Sequence, residues 1–420
     1  MEVNNSLNIQ SHKKSPMKND LFLFLMFCCT LLAFFFYYQL KGVVYIVALL
    51  WFFFFVFFNR SREKNWVTLF FIFLFIINFF ATVVSFLNSG SMFIARVFLN
   101  ATIYFCSGFA FFKYGCLSNY SDNKTPHTIV FVCALGLLNS FINLATWFFT
   151  TGGVISRYNF SSPINHSVSA GIGLSLIAAM LFLGLIKKHK IFGLFGFAVC
   201  SSNLLIILTR KTQLIFLLSL FLFFLIFLVK AKSLKTKATI ILFAFAILGI
   251  VFFTFRNHLS SLISQFTKLY SLSGQDTIER NFAKEDSIAL FKSSLGLGVG
   301  YGLFSSFSSF TILASAHNGF YAFLSEFGIA GVVLMFAFIL QISIVSFCVV
   351  KKTSNILIWS ISILILAIIY SFFIANSYLF PPANETAYFL ENGIYWFLIG
   401  YLVSEYKRTK NKQNEKEFLR

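Results

Sequence analysis

The feature that most constrains this chain is a series of about twelve apolar runs, each about long enough to cross a lipid bilayer as a helix. Hydrophobic residues make up 58% of the 420 residues and charged residues 11%, too few to cover the surface of a soluble fold. The composition therefore excludes a cytosolic enzyme and a disordered chain. It predicts an all-α, polytopic membrane protein, a bundle of about 12 transmembrane helices. The runs lie at roughly 21–39, 42–58, 66–87, 93–113, 127–149, 166–186, 191–209, 212–229, 238–255, 320–350, 355–375 and 388–404.

The distribution of the basic residues predicts the orientation. The formal net charge of +19 would suggest nucleic acid as the partner of a soluble protein. With the N-terminus in the cytoplasm and alternating spans, however, the short inside loops are all basic, as in 187–190 and 230–237. This agrees with the positive-inside rule, so we expect both termini in the cytoplasm, the lipid bilayer as a partner and no nucleic acid.

The same pattern predicts four regions. Residues 1–255 hold spans 1–9, residues 256–319 form a long outer loop, residues 320–404 hold spans 10–12, and residues 405–420 form a basic cytoplasmic tail. The loop is too polar to span and too long for a turn. Within it, residues 276–291 predict an amphipathic helix capped by Asp276, with Ile278, Phe282 and Ala289 on one apolar face.

Several cations fall on the outer side, where the positive-inside rule does not explain them. Arg157 precedes the sixth span, Arg210 and Lys211 lie in a tight hinge, and Arg280 lies on the loop helix. Solvated arginines, or side chains that reach the lipid headgroups, are the ordinary alternatives. Because guanidinium groups form bidentate hydrogen bonds with phosphate oxygens, the group together indicates a site for a polyanion such as a pyrophosphate.

A second set of features lies near the tenth span. His317 opens that span, and a histidine there could act as a general base toward a hydroxyl or be structural. Asn318 follows it, and Glu326 is an intramembrane acid, by default a functional or network residue. The alternating glycines of SLGLGVGYG, residues 294–302, predict a backbone that comes close to a ligand or a helix.

The location of these features limits the chemistry. No nucleotide is available outside the cytoplasmic membrane, so a synthesis there needs a preactivated substrate. A lipid-diphosphate sugar supplies both a leaving group and a membrane anchor. The outer loops hold few acidic residues and no paired His/Asp cluster, so we expect no metal and no cofactor.

At these residues the sequence resembles the O-antigen polymerase and O-antigen ligase superfamily of bacterial envelope glycosyltransferases. The segments that carry the resemblance are RYNFSSPINHSVSAG (157–171), LIILTRKTQLIF (205–216), ERNFAKEDSIALFKSSLGLGVGYGLF (279–304) and AHNGFYAFLSEFGIAGVVLMF (316–336). The resemblance implies an all-helical bundle in the bacterial inner membrane, with a long periplasmic loop that contains short helices over the active site. It also implies an undecaprenyl-diphosphate-linked glycan as donor, without metal or nucleotide.

The resemblance implies a role for each matched residue. Arg210 matches the arginine of the hinge motif and Arg280 that of the loop helix, and both would hold the donor diphosphate, with Arg157 and Lys211 assisting. His317 would be catalytic and activate the acceptor hydroxyl. Supporting roles fall to three further residues, Asn318, Glu326 and Gly296. The hinge departs from the family pattern at Thr209, where serine is common.

The choice between polymerase and ligase depends on a spacing. Polymerases of the superfamily are described with paired Arg-x15-Gly motifs, and Arg157 with Gly173 and Arg280 with Gly296 both have that spacing. This favours an inverting repeat-unit polymerase acting on an acceptor glycan, with a chain-length regulator among the partners considered. A ligase that transfers the glycan to lipid A core is the alternative. A transporter or lipid-linked oligosaccharide flippase is disfavoured, because nearly all charges lie at span ends.

Overall fold

The computed structural model describes residues 17–40, 42–58, 65–118, 126–151, 170–206, 210–230, 275–308, 318–373, 379–380 and 389–418. Within these ranges the chain forms helices and no strand. The helices are α1 Met17–Phe35, α2 Tyr37–Leu40, α3 Val43–Phe58, α4 Trp66–Ser89, α5 Met92–Leu117, α6 His127–Thr151, α7 Ala170–Leu185, α8 Lys190–Ile206, α9 Arg210–Lys230, α10 Gln275–Ser293, α11 Phe304–Phe307, α12 Gly319–Lys352, α13 Ile356–Tyr370 and α14 Phe389–Phe418. A single 3-10 turn, Ser371–Phe373, follows α13.

The predicted all-α polytopic membrane fold is confirmed. Six helices in the described part are long and apolar enough to cross a membrane: Trp66–Ser89, Met92–Leu117, His127–Thr150, Thr212–Lys230, Gly319–Lys352 and Ile356–Phe373. Shorter apolar helices cover Leu21–Phe35, Val43–Val56, Gly173–Leu185 and Lys190–Leu205. Every predicted span coincides with a helix except 238–255, which lies outside the described residues. The last helix continues well beyond the predicted end of span 12, to Phe418.

The centre of the bundle is the close pairing of α5 with α14. Glycines lie where the two backbones meet. A Cβ atom at Gly115 would lie 2.9 Å from the carbonyl carbon of Phe397, and one at Gly400 would lie 2.9 Å from that of Phe112. Small residues at such contacts are the usual way in which membrane helices approach each other. Helix α13 contacts α7, α9, α12 and α14, and so joins the N-terminal and C-terminal parts of the bundle.

A buried polar cluster fixes α6, α7 and α8 to one another. The hydroxyl of Ser175 accepts hydrogen bonds from the side-chain amides of Asn203, at 2.7 Å, and Asn139, at 3.2 Å. The hydroxyl of Ser140 lies 2.9 Å from the same oxygen. Interhelical hydrogen bonds of this kind stabilise packing inside a bilayer, where the hydrophobic effect does not drive helices together.

Contacts between lysines and neighbouring helices define one end of the bundle. The ammonium group of Lys230 donates to the carbonyl oxygen of Lys351 at 2.8 Å, and that of Lys352 donates to Gln413 Oε1 at 2.6 Å. The C-terminal parts of α9, α12 and α14 therefore lie together, at what we call the basic end. The first residues of these helices point toward the opposite end, which we call the site end.

Helix α10 lies outside the predicted spans and packs against α12. The predicted apolar face is wrong, since Phe282 exposes 41% of its surface and Ala289 is also exposed. The buried residues are instead Ala283, Asp286, Ser287 and Leu290. Small and polar side chains form this face because they allow a close contact. The helix begins at Gln275, so Asp276 lies in its first turn and is not the predicted N-cap.

Candidate functional site

The glycine-rich segment, residues 294–302, enters the bundle between α4 and α12. Gly296, Gly298, Gly300 and Gly302 all have positive φ angles, of 81°, 82°, 102° and 81°. Residues with a Cβ atom rarely adopt this conformation, which explains why the glycines alternate. The expectation that they let the backbone approach a helix is therefore confirmed.

Helix α12 is broken where this segment meets it. Gly328 has φ 64° and ψ −163°, so the helix cannot complete its own hydrogen bonds there. The segment supplies the missing partners: Val299 N–H donates to the carbonyl oxygen of Ser325 at 2.8 Å, and Gly300 N–H donates to that of Glu326 at 2.9 Å. Irregular backbone at membrane depth needs this complete pairing.

The other side of the break is closed in the same way. The N–H of Ile329 donates to the carbonyl oxygen of Gly296 at 3.0 Å. A Cβ atom at Gly298 would lie 2.6 Å from the carbonyl carbon and oxygen of Glu326 and from the nitrogen of Gly328. Gly296, predicted as a supporting residue, is thus part of the contact between the segment and α12.

A polar stripe on α4 holds the opposite edge of the segment. It consists of Asn78, Thr82 and Ser85, which lie on one face of a helix otherwise rich in phenylalanine. The Ser85 hydroxyl donates to the carbonyl oxygen of Val299 at 2.6 Å, and the Tyr301 N–H donates to Asn78 Oδ1 at 2.7 Å. The stripe was not predicted from the sequence, although its three-to-four-residue spacing was the available signal.

Glu326 braces the segment with its side chain as well as its backbone. The residue is buried, and the backbone N–H groups of Gly302 and Phe304 hydrogen-bond its carboxylate. Farther along, the hydroxyl of Ser308 donates to the carboxylate of Asp286 on α10. Of the two roles expected for Glu326, its contacts support that of a network residue.

Asn318 fixes the start of α12. Its Oδ1 accepts hydrogen bonds from the N–H groups of Phe320, at 3.0 Å, and Tyr321, at 3.3 Å, and so caps the helix. Its Nδ2 donates to the carbonyl oxygen of Phe373 at 2.9 Å, which ties the start of α12 to the end of α13. His317, the predicted general base, comes directly before this cap and lies outside the described residues.

Helix α10 carries Arg280 one turn before its contact with an apolar cluster at the start of α12. Ala283, one turn later, belongs to a small apolar cluster packed against Tyr321 and Ala322 in the first turn of α12. Arg280 itself is exposed. The structure therefore brings the turn of α10 that follows Arg280 into the same apolar cluster as the first turn of α12.

Arg210 is the first residue of α9, and Lys211 is the second. Gln213 joins the first turn of α9 to the end of α8, since its Nε2 donates to the carbonyl oxygens of Leu204 and Leu205, both at 3.3 Å. A helix N-terminus offers free N–H groups and favours negative charge, so the start of α9 favours an anion. The side chains of Arg210 and Lys211, and Arg157 altogether, lie outside the described residues.

The described residues thus place the starts of α9 and α12 at the site end, with the exposed Arg280 on a helix that packs against α12, so the free N–H groups at the start of α9 and the arginine suit an anionic ligand. Among the described residues, no group of three or more histidine, cysteine, aspartate or glutamate side chains is arranged to hold a metal ion.

Comparison with known proteins gives a family match. Residues 195–336 match the family model described as O-antigen ligase. This match, which covers less than half of the chain, supports the resemblance to the O-antigen ligase and polymerase superfamily. No curated protein matches the chain.

The matched region covers the hinge before α9, helix α10, the glycine-rich segment and the first half of α12. Arg210, Lys211, Arg280 and Asn318 all fall within it. Proteins of the superfamily are membrane glycosyltransferase-like enzymes that act as ligases or polymerases.

Proposed function

We propose that the chain is a polysaccharide repeat-unit polymerase of the bacterial inner membrane, with O-antigen as the expected product. Its donor is an undecaprenyl-diphosphate-linked oligosaccharide bound at the periplasmic face, which corresponds to the site end, and both termini lie in the cytoplasm. The observation that carries the proposal is the packing of α10, the helix of Arg280, against α12 near its capped start, within the matched region.

The proposed reaction is a single displacement with inversion. A hydroxyl oxygen of the acceptor glycan attacks the anomeric carbon of the donor, the bond from that carbon to the diphosphate oxygen breaks, and undecaprenyl diphosphate leaves. Arg210 and Arg280, assisted by Arg157 and Lys211, stabilise the charge that develops on the leaving diphosphate. His317 takes the proton of the attacking hydroxyl.

The polymerase and the ligase differ in their acceptor, and two observations favour different answers. The paired Arg-x15-Gly spacing supports the polymerase, whereas the matching family model is described as O-antigen ligase. In the structure, both glycines of the paired motif have close contacts: Gly296 bonds to Ile329, and Gly173 lies against Glu391. These contacts are compatible with either acceptor.

Lipopolysaccharide from a strain that lacks this gene separates the candidates. A core that carries a single repeat unit would support the polymerase, because units are then made and attached but not joined. Bare core with polymer left on the lipid carrier would support the ligase. An unchanged ladder would contradict both and favour a capsule or transport function.

The donor site is tested in the same strain by reversing single charges. Arg280→Glu places a carboxylate where the proposal needs a cation, so polymer should be lost while the protein stays in the membrane. Lys292→Glu makes the same change twelve residues along α10, about 18 Å away, and should keep the polymer. Wild-type chain lengths with Arg280→Glu would contradict the assignment.

A further inference from the structure

Glu391 is a second buried carboxylate toward the site end, and the mechanism above does not use it. It is the third residue of α14 and exposes 1% of its surface. The ring of Phe389, which begins α14, lies 5.4 Å from the ring of Tyr104, twelve residues into α5. Glu391 is therefore about 18 Å below the start of α5, at a depth where an acid is costly and usually functional.

One contact of Glu391 is with the first turn of α7. A Cβ atom at Gly173 would lie 2.5 Å from the carboxyl carbon of Glu391 and 2.7 Å from Oε1. No side chain fits at position 173 while the carboxylate keeps this position. Because Gly173 is the fourth residue of α7, the carboxylate also lies near the positive end of the dipole of that helix.

A second set of contacts leads from the start of α14 to the glycine-rich segment. Asn392, which follows Glu391, shares a hydrogen-bond acceptor with Tyr104, and the ring of Tyr104 lies 5.9 Å from that of Tyr301 in the segment. The hydroxyl of Tyr104 donates to the carbonyl oxygen of Leu379 at 2.9 Å, and Asn392 Nδ2 donates to the same oxygen at 2.7 Å. The ring of Tyr301 is in turn stacked on Phe105 and Phe327.

These contacts form one continuous connection. It runs from the start of α7 to Glu391, along α14 to Asn392, and through the Leu379 carbonyl oxygen to Tyr104 and Tyr301. From there it reaches the segment that closes the break in α12. In the chain, α7 follows the segment that carries Arg157, and α12 follows His317. Glu391 thus contacts the helix that follows the segment of Arg157, and it belongs to a helix that packs against α12.

We propose that Glu391 is a positioning residue for glycan transfer, which sets the start of α7 against the glycine-rich segment. The proposal rests on the proposed function. It treats Glu391 as acting through α7 and Tyr104, without contact with the reacting atoms. A shift of about 1 Å in such a support is enough to slow a reaction by about 100-fold.

The first test replaces Glu391 by Gln, which keeps the volume and removes the charge. We expect kcat for transfer from the lipid-linked donor to fall about 10- to 100-fold, with little change in donor KM. The matched control is Glu405→Gln, since Glu405 is equally buried in α14 but lies near the basic end, paired with Arg408 at 2.7 Å. The control should lose thermal stability and keep the wild-type rate.

The second test asks whether the Gly173 contact is responsible. Gly173→Ala pushes a methyl group into the carboxylate and should slow transfer, although alanine is the better helix former. Adding Glu391→Asp withdraws the carboxylate by one methylene and should restore much of the rate. A wild-type rate in Gly173→Ala, or no recovery in the double variant, would overturn the proposal.

The two proposals fail in different ways. If the wild-type protein transfers no glycan, the proposed function fails. If the wild-type protein is active and Glu391→Gln has the same kcat, the positioning role fails and the proposed function stands.

Discussion

Replacing Gly298 by Ala tests the contact between the glycine-rich segment and the broken helix α12. The residue has φ 82°, and a left-handed conformation costs a residue with a Cβ atom about 1–2 kcal/mol. The new methyl group would also lie 2.6 Å from backbone atoms of Glu326 and Gly328, which cannot rotate away as a side chain could. The segment must therefore move outward.

Outward movement breaks the two hydrogen bonds that Val299 and Gly300 donate to α12. Each buried pair that is lost costs about 1–2 kcal/mol, because the freed groups find no water at this depth. Together with the cost of the left-handed backbone conformation, the expected loss in the free energy of unfolding is about 3–6 kcal/mol. This is a large part of the roughly 5–15 kcal/mol by which folded proteins are stable.

Gly90→Ala is the matched control for this experiment. Gly90 has φ 65°, and a Cβ atom added there would meet no other atom within 4 Å, so its replacement carries the conformational cost alone, about 1–2 kcal/mol. Thermal unfolding of the purified variants in one detergent compares the two. We expect Gly298→Ala to melt well below Gly90→Ala, and equal melting temperatures would refute the reasoning.

Two further predictions concern the supports of the predicted cations and of the general base. Asn318→Ala removes the cap of α12 and the bond to Phe373, and should cost about 1–2 kcal/mol in thermal unfolding, with much of the loss recovered by Asn318→Ser. Gln213→Leu keeps the volume but loses the bonds to the last turn of α8, so trypsin should cut after Arg210 or Lys211 faster than in the wild type. An unchanged cutting rate would show that Gln213 does not hold the hinge.

The spans were predictable because a run of about twenty apolar residues has one ordinary structure in a membrane. The break in α12 could not be predicted, since residues 320–350 form a continuous apolar run in which Gly328 gives no distinct signal. The break is stable only because the glycine-rich segment supplies its hydrogen bonds. The prediction of the buried face of α10 was wrong for a related reason. A close contact between helices favours small and polar residues such as Ala283 and Ser287 over large apolar ones.

The candidate site also has a part that the sequence predicts and a part that it does not. Residue type and location identify Arg280 and Asn318, and the structure brings their helices together at the site end. Their supports could not be read from the sequence, because they come from distant parts of the chain. Ser85 lies 214 positions from its partner Val299, and Tyr104 lies 275 from Leu379. Glu391 lies at the edge of the twelfth apolar run, and only its contact with Gly173 in the structure indicates a role for it.

Glycan transfer by the purified protein tests the central claim most directly. Wild-type protein, Arg280→Glu and Lys292→Glu would be reconstituted in liposomes with an undecaprenyl-diphosphate-linked oligosaccharide, in the presence of a metal chelator. Release of undecaprenyl diphosphate and growth of the glycan would be followed together. We predict turnover with the wild type and Lys292→Glu and none with Arg280→Glu. Equal turnover by Arg280→Glu, or no release of undecaprenyl diphosphate by the wild type, would contradict this account.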